Sequence, residues 1–223
     1  SISRTTFDWG VPLPWDETHV TYVWFDALTN YITVPASLGD PVVCDALGLD
    51  GTRNTQPVSL WPADVHVIGK DIVKFHAVYW PIMLKAAGIP LPKQILAHGW
   101  WQKEGAKISK STGNIVDPIA VIDEWGLDAF RFYVLRELDI GPDGNWTDAG
   151  FKARYQAELA NGLGNLASRT LTMIHQYRQG AVSLDGEASP LPVSETISAA
   201  IDAYERLDFS RALEAIWNLI GAA

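Results

Sequence analysis

Hydrophobic and polar positions follow two regimes along this chain, and the change between them falls near residue 148. The run "HVTYVWF" (19–25), rich in β-branched and aromatic residues, predicts a strand. "DALTNYITVPASL" behind it predicts a short helix capped by Asp26 and disturbed at Pro35. Residues 39–62, carrying Gly, Asp, Asn and Pro, predict a loop or insertion. "DVHVIG" (64–69) predicts a second strand and "KDIVKFHAVYWPIMLKAAG" a helix. In that helix Ile72, Phe75, His76, Tyr79, Trp80 and Met83 form an apolar stripe that ends at Gly88. "KQILAHGWW" (93–101) predicts a third strand. Asp117 before Pro118 starts a helix that stops at Gly126, and Asp128 caps another running to about Leu138.

"DIGPDGNWTD" (139–148) predicts a turn-rich linker. The pattern beyond it is helical only, over roughly 148–178, 194–206 and 209–220, with the loop "GAVSLDGEASPLP" between the first two. Strands joined through helical crossovers pair in parallel, so the first regime predicts an α/β, doubly wound sheet. The second predicts an all-α region.

Composition adds bounds. With 223 residues, 48% hydrophobic and 19% charged, the chain is globular rather than disordered. No apolar run approaches the roughly 20 residues that span a bilayer, and no signal peptide opens the sequence. We therefore expect a cytoplasmic protein with no membrane partner. The single cysteine, Cys44, excludes an internal disulfide framework and a multi-cysteine zinc site. A net charge of −9 excludes a uniformly basic nucleic-acid binder but not a local basic patch. The chain opens on Ser1 and closes on "RALEAIWNLIGAA" in mid-pattern, so a piece of a longer protein is expected.

The chemistry concentrates in "GAKISKSTGN" (105–114). Lys107 and Lys110 are rotatable point charges, Ser109 and Ser111 are hydroxyl donors, and flanking glycines let backbone approach a ligand. Such a set suits phosphate oxygens whose charge grows during nucleotidyl transfer. By composition alone the same stretch also reads as a solvated surface loop. His76, on an otherwise apolar stripe, reads equally as a satisfied core histidine, and Asp71 as an N-cap.

"KISKS" at 107–111 resembles the KMSKS signature of class I aminoacyl-tRNA synthetases, with Ile108 replacing the usual methionine. "YVWFDALTNYI", "HVIGKDIVKFHAVYWPIML", "HGWWQKEGAKISKS" and "NGLGNLASRT" are similar, in the same order, to stretches of the methionyl-tRNA synthetase family. Together they cover nearly the whole chain.

That resemblance implies methionine contacts at Trp24, Ala27, Tyr31, Ile72 and His76, with Leu28 and Asn30 beside them. It implies ATP contacts at Gly69, Lys70 and Asp71 in a GKD turn, at His98, Gly99 and Trp101, and at Lys107, Ser109, Lys110 and Ser111. The two lysines take the catalytic role. Asn161, Asn165 and Arg169, at i, i+4 and i+8 on one helix face, read also as a plain polar stripe; the resemblance implies that they contact the CAU anticodon.

The implied reaction activates L-methionine with ATP and Mg²⁺ and transfers it to tRNA(Met), elongator and initiator. No protein-bound metal, zinc included, is expected in this region, and a monomer is expected. Residues 1–115 would be the second half of a Rossmann-like catalytic domain, 116–147 connecting helices, and 148–223 the start of an anticodon-binding bundle. The 223 residues alone are expected to be inactive, because the HIGH stretch is not among them. Two other readings stay open: a non-catalytic RNA-binding relative, and a different class I synthetase or nucleotidyltransferase. A cysteinyl enzyme would need zinc-ligating cysteines beyond Cys44.

Overall fold

The computed structural model describes residues 3–6, 9–50, 59–108, 113–182 and 190–223. It divides into two compact units, Ser1–His98 and Gly99–Ala223.

In the first unit, β1 (Ser3–Arg4) and β2 (Pro12–Leu13) flank β3 (Asp16–Thr21) in a small antiparallel sheet. The strand predicted for 19–25 therefore ends early, and the chain turns at Tyr22 into α1 (Val23–Ser37). Burial explains the difference. Trp24, Leu28, Ile32 and Ala36 recur every fourth residue and pack into one core, so a helical stripe reaches back through the β-prone residues and overrides their propensity. Asp26 lies in the first turn instead of capping it, and Pro35 sits inside the last turn.

The predicted 39–62 loop contains α2 (Pro41–Leu47). Asp40 starts it. One carboxylate oxygen accepts from the amides of Val42 (3.0 Å) and Val43 (3.2 Å), the other from Leu60 (2.6 Å) and Trp61 (2.9 Å). Asp40 is fully buried, yet these donors outweigh the burial penalty and hold its pKa below the ordinary value.

β4 (Val65–Gly69) pairs in parallel with β5 (Gln94–His98), with Gly69 opposite His98. The connection is helical, as predicted, but not uniformly α. A 3₁₀ turn at Lys70–Ile72 and a π turn at Phe75–Tyr79 precede α3 (Trp80–Ala86). The Trp80 amide reaches back to the Phe75 carbonyl, and Pro81 follows, whose ring would crowd the carbonyl of Val78's predecessor in an ordinary turn. Leu28, Val43, Trp61, Trp80, Leu84 and Ile89 form the core of this unit.

The second unit contains β6 (Trp101–Lys103), β7 (Ala106–Lys107), α4 (Pro118–Trp125), α5 (Leu127–Arg136) and β8 (Gly144–Trp146). β6 pairs with β7 antiparallel and with β8 in parallel. Thus the run 93–101 is two strands in two sheets, not one, and the predicted linker at 139–148 supplies a strand. Asp117 caps α4 through the Ile119 amide (2.9 Å), as its sequence signal predicts. α5 starts from Gly126, whose φ of +88° favours glycine, so Asp128 falls within its first turn.

From Asp148 the chain is helical without a break to Arg178: α6 (Asp148–Arg154), a π stretch (Tyr155–Gly164) and α7 (Asn165–Arg178). Then come α8 (Val193–Glu205) and α9 (Phe209–Ala222), within two residues of their predicted bounds. Ala129, Tyr133, Trp146 and Phe151 form the core here. Among the described residues no helix is long and apolar enough to cross a membrane.

Candidate functional site

Three groups of side chains stand out. The first is an aromatic and imidazole wall in the first unit. The indole of Trp24, in the first turn of α1, stacks on Phe75 with centroids 4.2 Å apart and planes 12° apart. Trp24 also meets the His76 ring edge-on at 6.0 Å. The π turn thereby brings Phe75 and His76, neighbours in sequence, to the same partner.

His76 is 1% exposed and both its nitrogens are engaged. Nδ1 lies 3.0 Å from the Ile72 carbonyl, which can only accept, so Nδ1 carries a proton. In the neutral ring Nε2 then accepts from the Tyr31 hydroxyl at 3.0 Å. Burial raises the Tyr31 pKa, which keeps that phenol a donor.

Behind them, Trp80 donates its indole N–H to His66 Nε2 (3.3 Å), and the His66 ring lies 4.2 Å from the ring of Tyr31. Burial, with His76 nearby, lowers the His66 pKa and favours its neutral form. Trp61 closes the cluster at about 6 Å from both His66 and Trp80. The wall is apolar and polarizable, and the Tyr31 hydroxyl and both His76 nitrogens are already paired, which suits an uncharged soft side chain.

Of the residues implied for methionine, the structure gathers Trp24, Tyr31 and His76 here, and Ile72 meets His76 through its backbone carbonyl. Leu28 is 1% exposed and belongs to the core behind them. Ala27 is half-buried, and Asn30 is exposed, its amide bonded to the Ala27 carbonyl (3.4 Å). The sequence reading left out Phe75, His66, Trp61 and Trp80. For Phe75 and Trp80 a signal was available, an excess of rings on the stripe that carries His76; His66 and Trp61 lie off that stripe.

The second group lies at the carboxyl ends of β4 and β5, where ligands gather in open α/β sheets. The strand register sets Gly69, with Lys70 and Asp71 following, beside His98. A side chain at Gly69 would meet the Asp71 carboxylate at 2.7 Å, so glycine leaves Asp71 room to fold over its own turn. Lys70, Asp71 and His98 are all exposed.

In the second unit, Gly99 has a packing reason of its own: a Cβ there would lie 1.9 Å from the Pro142 carbonyl oxygen. Trp101 is half-buried against Tyr133 and Trp146.

The lysine loop leaves from β7. Its near end is held by Asn145, which accepts from the Gly105 amide at 2.7 Å, and by the Glu104 amide bonded to the Trp146 carbonyl. Its far end is held by Asn114, which donates to the carbonyls of Lys103 (3.2 Å) and Ala106 (3.4 Å). Ser109, Lys110 and Ser111, with Thr112, lie outside the described residues, as does the side chain of Lys107.

The third group is a cleft of about 630 Å³ on the second unit, lined by Asn161, Asn165, Arg169, Thr170, Met173 and Trp217 among others. All three predicted residues therefore face one space. Below it, Arg154 bonds Glu137 (2.5 Å) and Glu158, and Arg136 Nε lies 3.3 Å from Glu158. Burial opposes the charge of Arg154, but the two carboxylates outweigh it and raise its pKa. Burial, with Glu137 beside it, pushes Tyr133 up to about 12. Among the described residues no three His, Cys, Asp or Glu side chains cluster as metal ligands.

A mixed α/β unit with a parallel strand pair, a lysine-bearing loop and a helical region with a polar cleft follow one another along the chain, as in the class I synthetases that its sequence resembles. The family model "tRNA synthetases class I (M)" matches residues 1–171, and the chain belongs to that family. The methionine–tRNA ligase of Bacillus subtilis is 46% identical over 99% of this chain and 32% of its own length; that of Rhizobium meliloti is 47% identical over 93% and 37%. The chain thus spans about a third of the length of the curated relatives it matches. Among solved structures, Mycobacterium tuberculosis methionyl-tRNA synthetase bound by methionyl-adenylate superposes with a TM-score of 0.78 at 43% identity, over 99% of this chain and 42% of that one. Its apo form gives 0.75 at 41% identity.

Proposed function

We propose that this chain is part of a methionine–tRNA ligase. The full-length protein activates L-methionine with ATP to methionyl-adenylate and esterifies tRNA(Met), initiator and elongator. The observation that carries this reading is the wall formed by Trp24, Phe75, Tyr31 and His76. It is an aromatic surface whose internal hydrogen bonds leave no unpaired charge against a thioether.

In this reading the methionine side chain lies against Trp24, with Ala27 and Ile72 bordering it and Leu28 and Asn30 as supports. Sulfur–ring contacts are worth roughly 0.3–1.5 kcal/mol each. The methionine carboxylate attacks the ATP α-phosphorus and pyrophosphate departs. A bond forms from carboxylate oxygen to phosphorus as the bond to the bridging oxygen breaks. Gly69, Lys70 and Asp71 hold the nucleoside, the Asp71 carboxylate accepting from ribose hydroxyls, with His98, Gly99 and Trp101 on the adenine side. Lys107 and Lys110, with Ser109 and Ser111, stabilise the charge that grows on the leaving pyrophosphate. Mg²⁺ arrives with ATP as part of the substrate complex.

The same reading assigns residues 1–115 to the second half of a Rossmann-like domain, 116–147 to connecting helices and 148–223 to the start of an anticodon-binding bundle. Asn161, Asn165 and Arg169 read the CAU anticodon. The protein works as a cytoplasmic monomer. Methionine-dependent ATP–pyrophosphate exchange by the full-length protein, with leucine and isoleucine as controls, tests the proposal. Exchange with methionine alone supports it; equal exchange with leucine, or none with methionine, refutes it.

A further inference from the structure

We propose that Trp217 is a positioning residue for the base-reading face, fixing the π-helical register that presents Asn165 and Arg169 to the cleft. This rests on the anticodon role proposed above for that face.

A π stretch changes the angular bookkeeping of a helix. Relative to an α-helix, its wider turns rotate every later side chain about the axis, so the face occupied by Asn165 and Arg169 depends on 155–164 staying π. Two features permit that geometry locally. A Cβ at Gly164 would sit 3.0 Å from the Leu159 carbonyl oxygen, and one at Gly162 3.4 Å from that of Ala157. Each of those carbonyls belongs to the residue five positions earlier, and glycine leaves room for it.

The remaining support comes from α9. Trp217 donates its indole N–H to the Glu158 carbonyl at 3.1 Å, in the first turn of the π stretch. Wide turns splay their carbonyls, and the indole satisfies this one. The Trp217 ring lies on Phe132 of α5, centroids 4.3 Å apart and planes 36° apart, which supports the indole from one side. The Glu158 carboxylate is meanwhile paired with Arg154 and Arg136. One residue of the π stretch is thus fixed through its backbone by α9 and through its side chain by α5 and α6. Trp217 also lines the cleft that Asn161, Asn165 and Arg169 share.

The test uses the full-length protein, with competent enzyme counted by active-site titration. Aminoacylation is measured with tRNA(Met) transcripts carrying CAU or an altered anticodon. W217F keeps a ring on Phe132 and removes the donor. Losing one hydrogen bond should raise the KM for the CAU transcript roughly 5-fold, with kcat held, and narrow the preference for CAU over the altered anticodon. G164A, which pushes a methyl against the Leu159 carbonyl, should give the same signature from the other side of the helix. It serves alone if W217F does not fold. A purely structural role would lower the melting temperature while leaving the anticodon preference at its wild-type value, and that result overturns the proposal. Wild-type protein that does not distinguish the two anticodons overturns the anticodon reading itself, and this proposal with it.

Discussion

Replacing Asp40 with Asn tests how the first unit is held together. The carboxylate accepts from four backbone amides, those of Val42, Val43, Leu60 and Trp61. An amide side chain offers one oxygen, so it can serve only one of the two pairs; its NH₂ group must face the other. At least two amide donors lose their acceptor, and Val43 and Trp61 are 0% and 3% exposed, with no access to water. Each orphaned donor costs about 1 kcal/mol or more, so the loss should be about 2–4 kcal/mol. That corresponds to a fall in Tm of about 5–15 °C.

Because burial works against the charge and the amides overcome it, Asp40 titrates below its ordinary value. A depressed carboxylate stabilises the fold above its unfolded pKa, about 3.9. That stabilisation is lost as pH falls through the folded value. The gap between wild type and Asp40→Asn should therefore be constant near neutrality and close below about pH 4. Amide hydrogen exchange over 40–47 and 59–64 gives the local reading. Asp40→Asn should lose protection in both segments, whereas Asp40→Ser, which caps α2 but cannot span to Trp61, should lose it chiefly in the second. Unchanged protection in both, or a stability gap that persists undiminished at pH 3, would refute the reasoning.

Three further outcomes are expected. Tyr31→Phe removes the donor to His76 Nε2 and leaves a buried acceptor unpaired, so the methionine KM in the exchange assay should rise roughly 5- to 10-fold with the ATP KM little changed. Lys110→Ala should depress the rate of adenylate formation far more than methionine affinity in single-turnover measurements; an equal loss in both would remove its transition-state role. Gly99→Ala places a methyl 1.9 Å from backbone at Pro142, and chemical denaturation should show a loss of about 3 kcal/mol or more.

Much of the fold was legible in residue patterns, and the departures share a cause. Strand β4, the crossover into β5 and the long helical region follow from local periodicity and caps, which need no partner. The stretch 19–25 misled because Val23, Trp24 and Phe25 favour strands locally, while the buried stripe continuing to Ala36 is helical. β8 was invisible because three residues in a turn-rich segment become a strand only when β6 is beside them. Among the candidate site residues, Tyr31 and His76 were named through resemblance, but their mutual hydrogen bond was not legible, since 45 residues separate them. The second layer, His66 and Trp80, was hidden for the same reason. Asp40 looked like a loop residue because half of its partners lie twenty residues downstream.

The two π segments connect these points. One carries His76 and the other precedes Asn165, so in each unit the candidate ligand-facing residues depend on a helix that departs from α geometry. Such turns are rare and less favourable than α turns, and they need a local reason to persist. Here the reasons differ. At 75–79, Pro81 removes an amide and crowds the preceding turn, a cause that lies within the helix's own sequence. At 155–164 the glycines only permit it, and the Trp217 bond to Glu158 supplies the bias. The first segment should therefore keep its register when neighbouring side chains are changed, while the second should depend on α9.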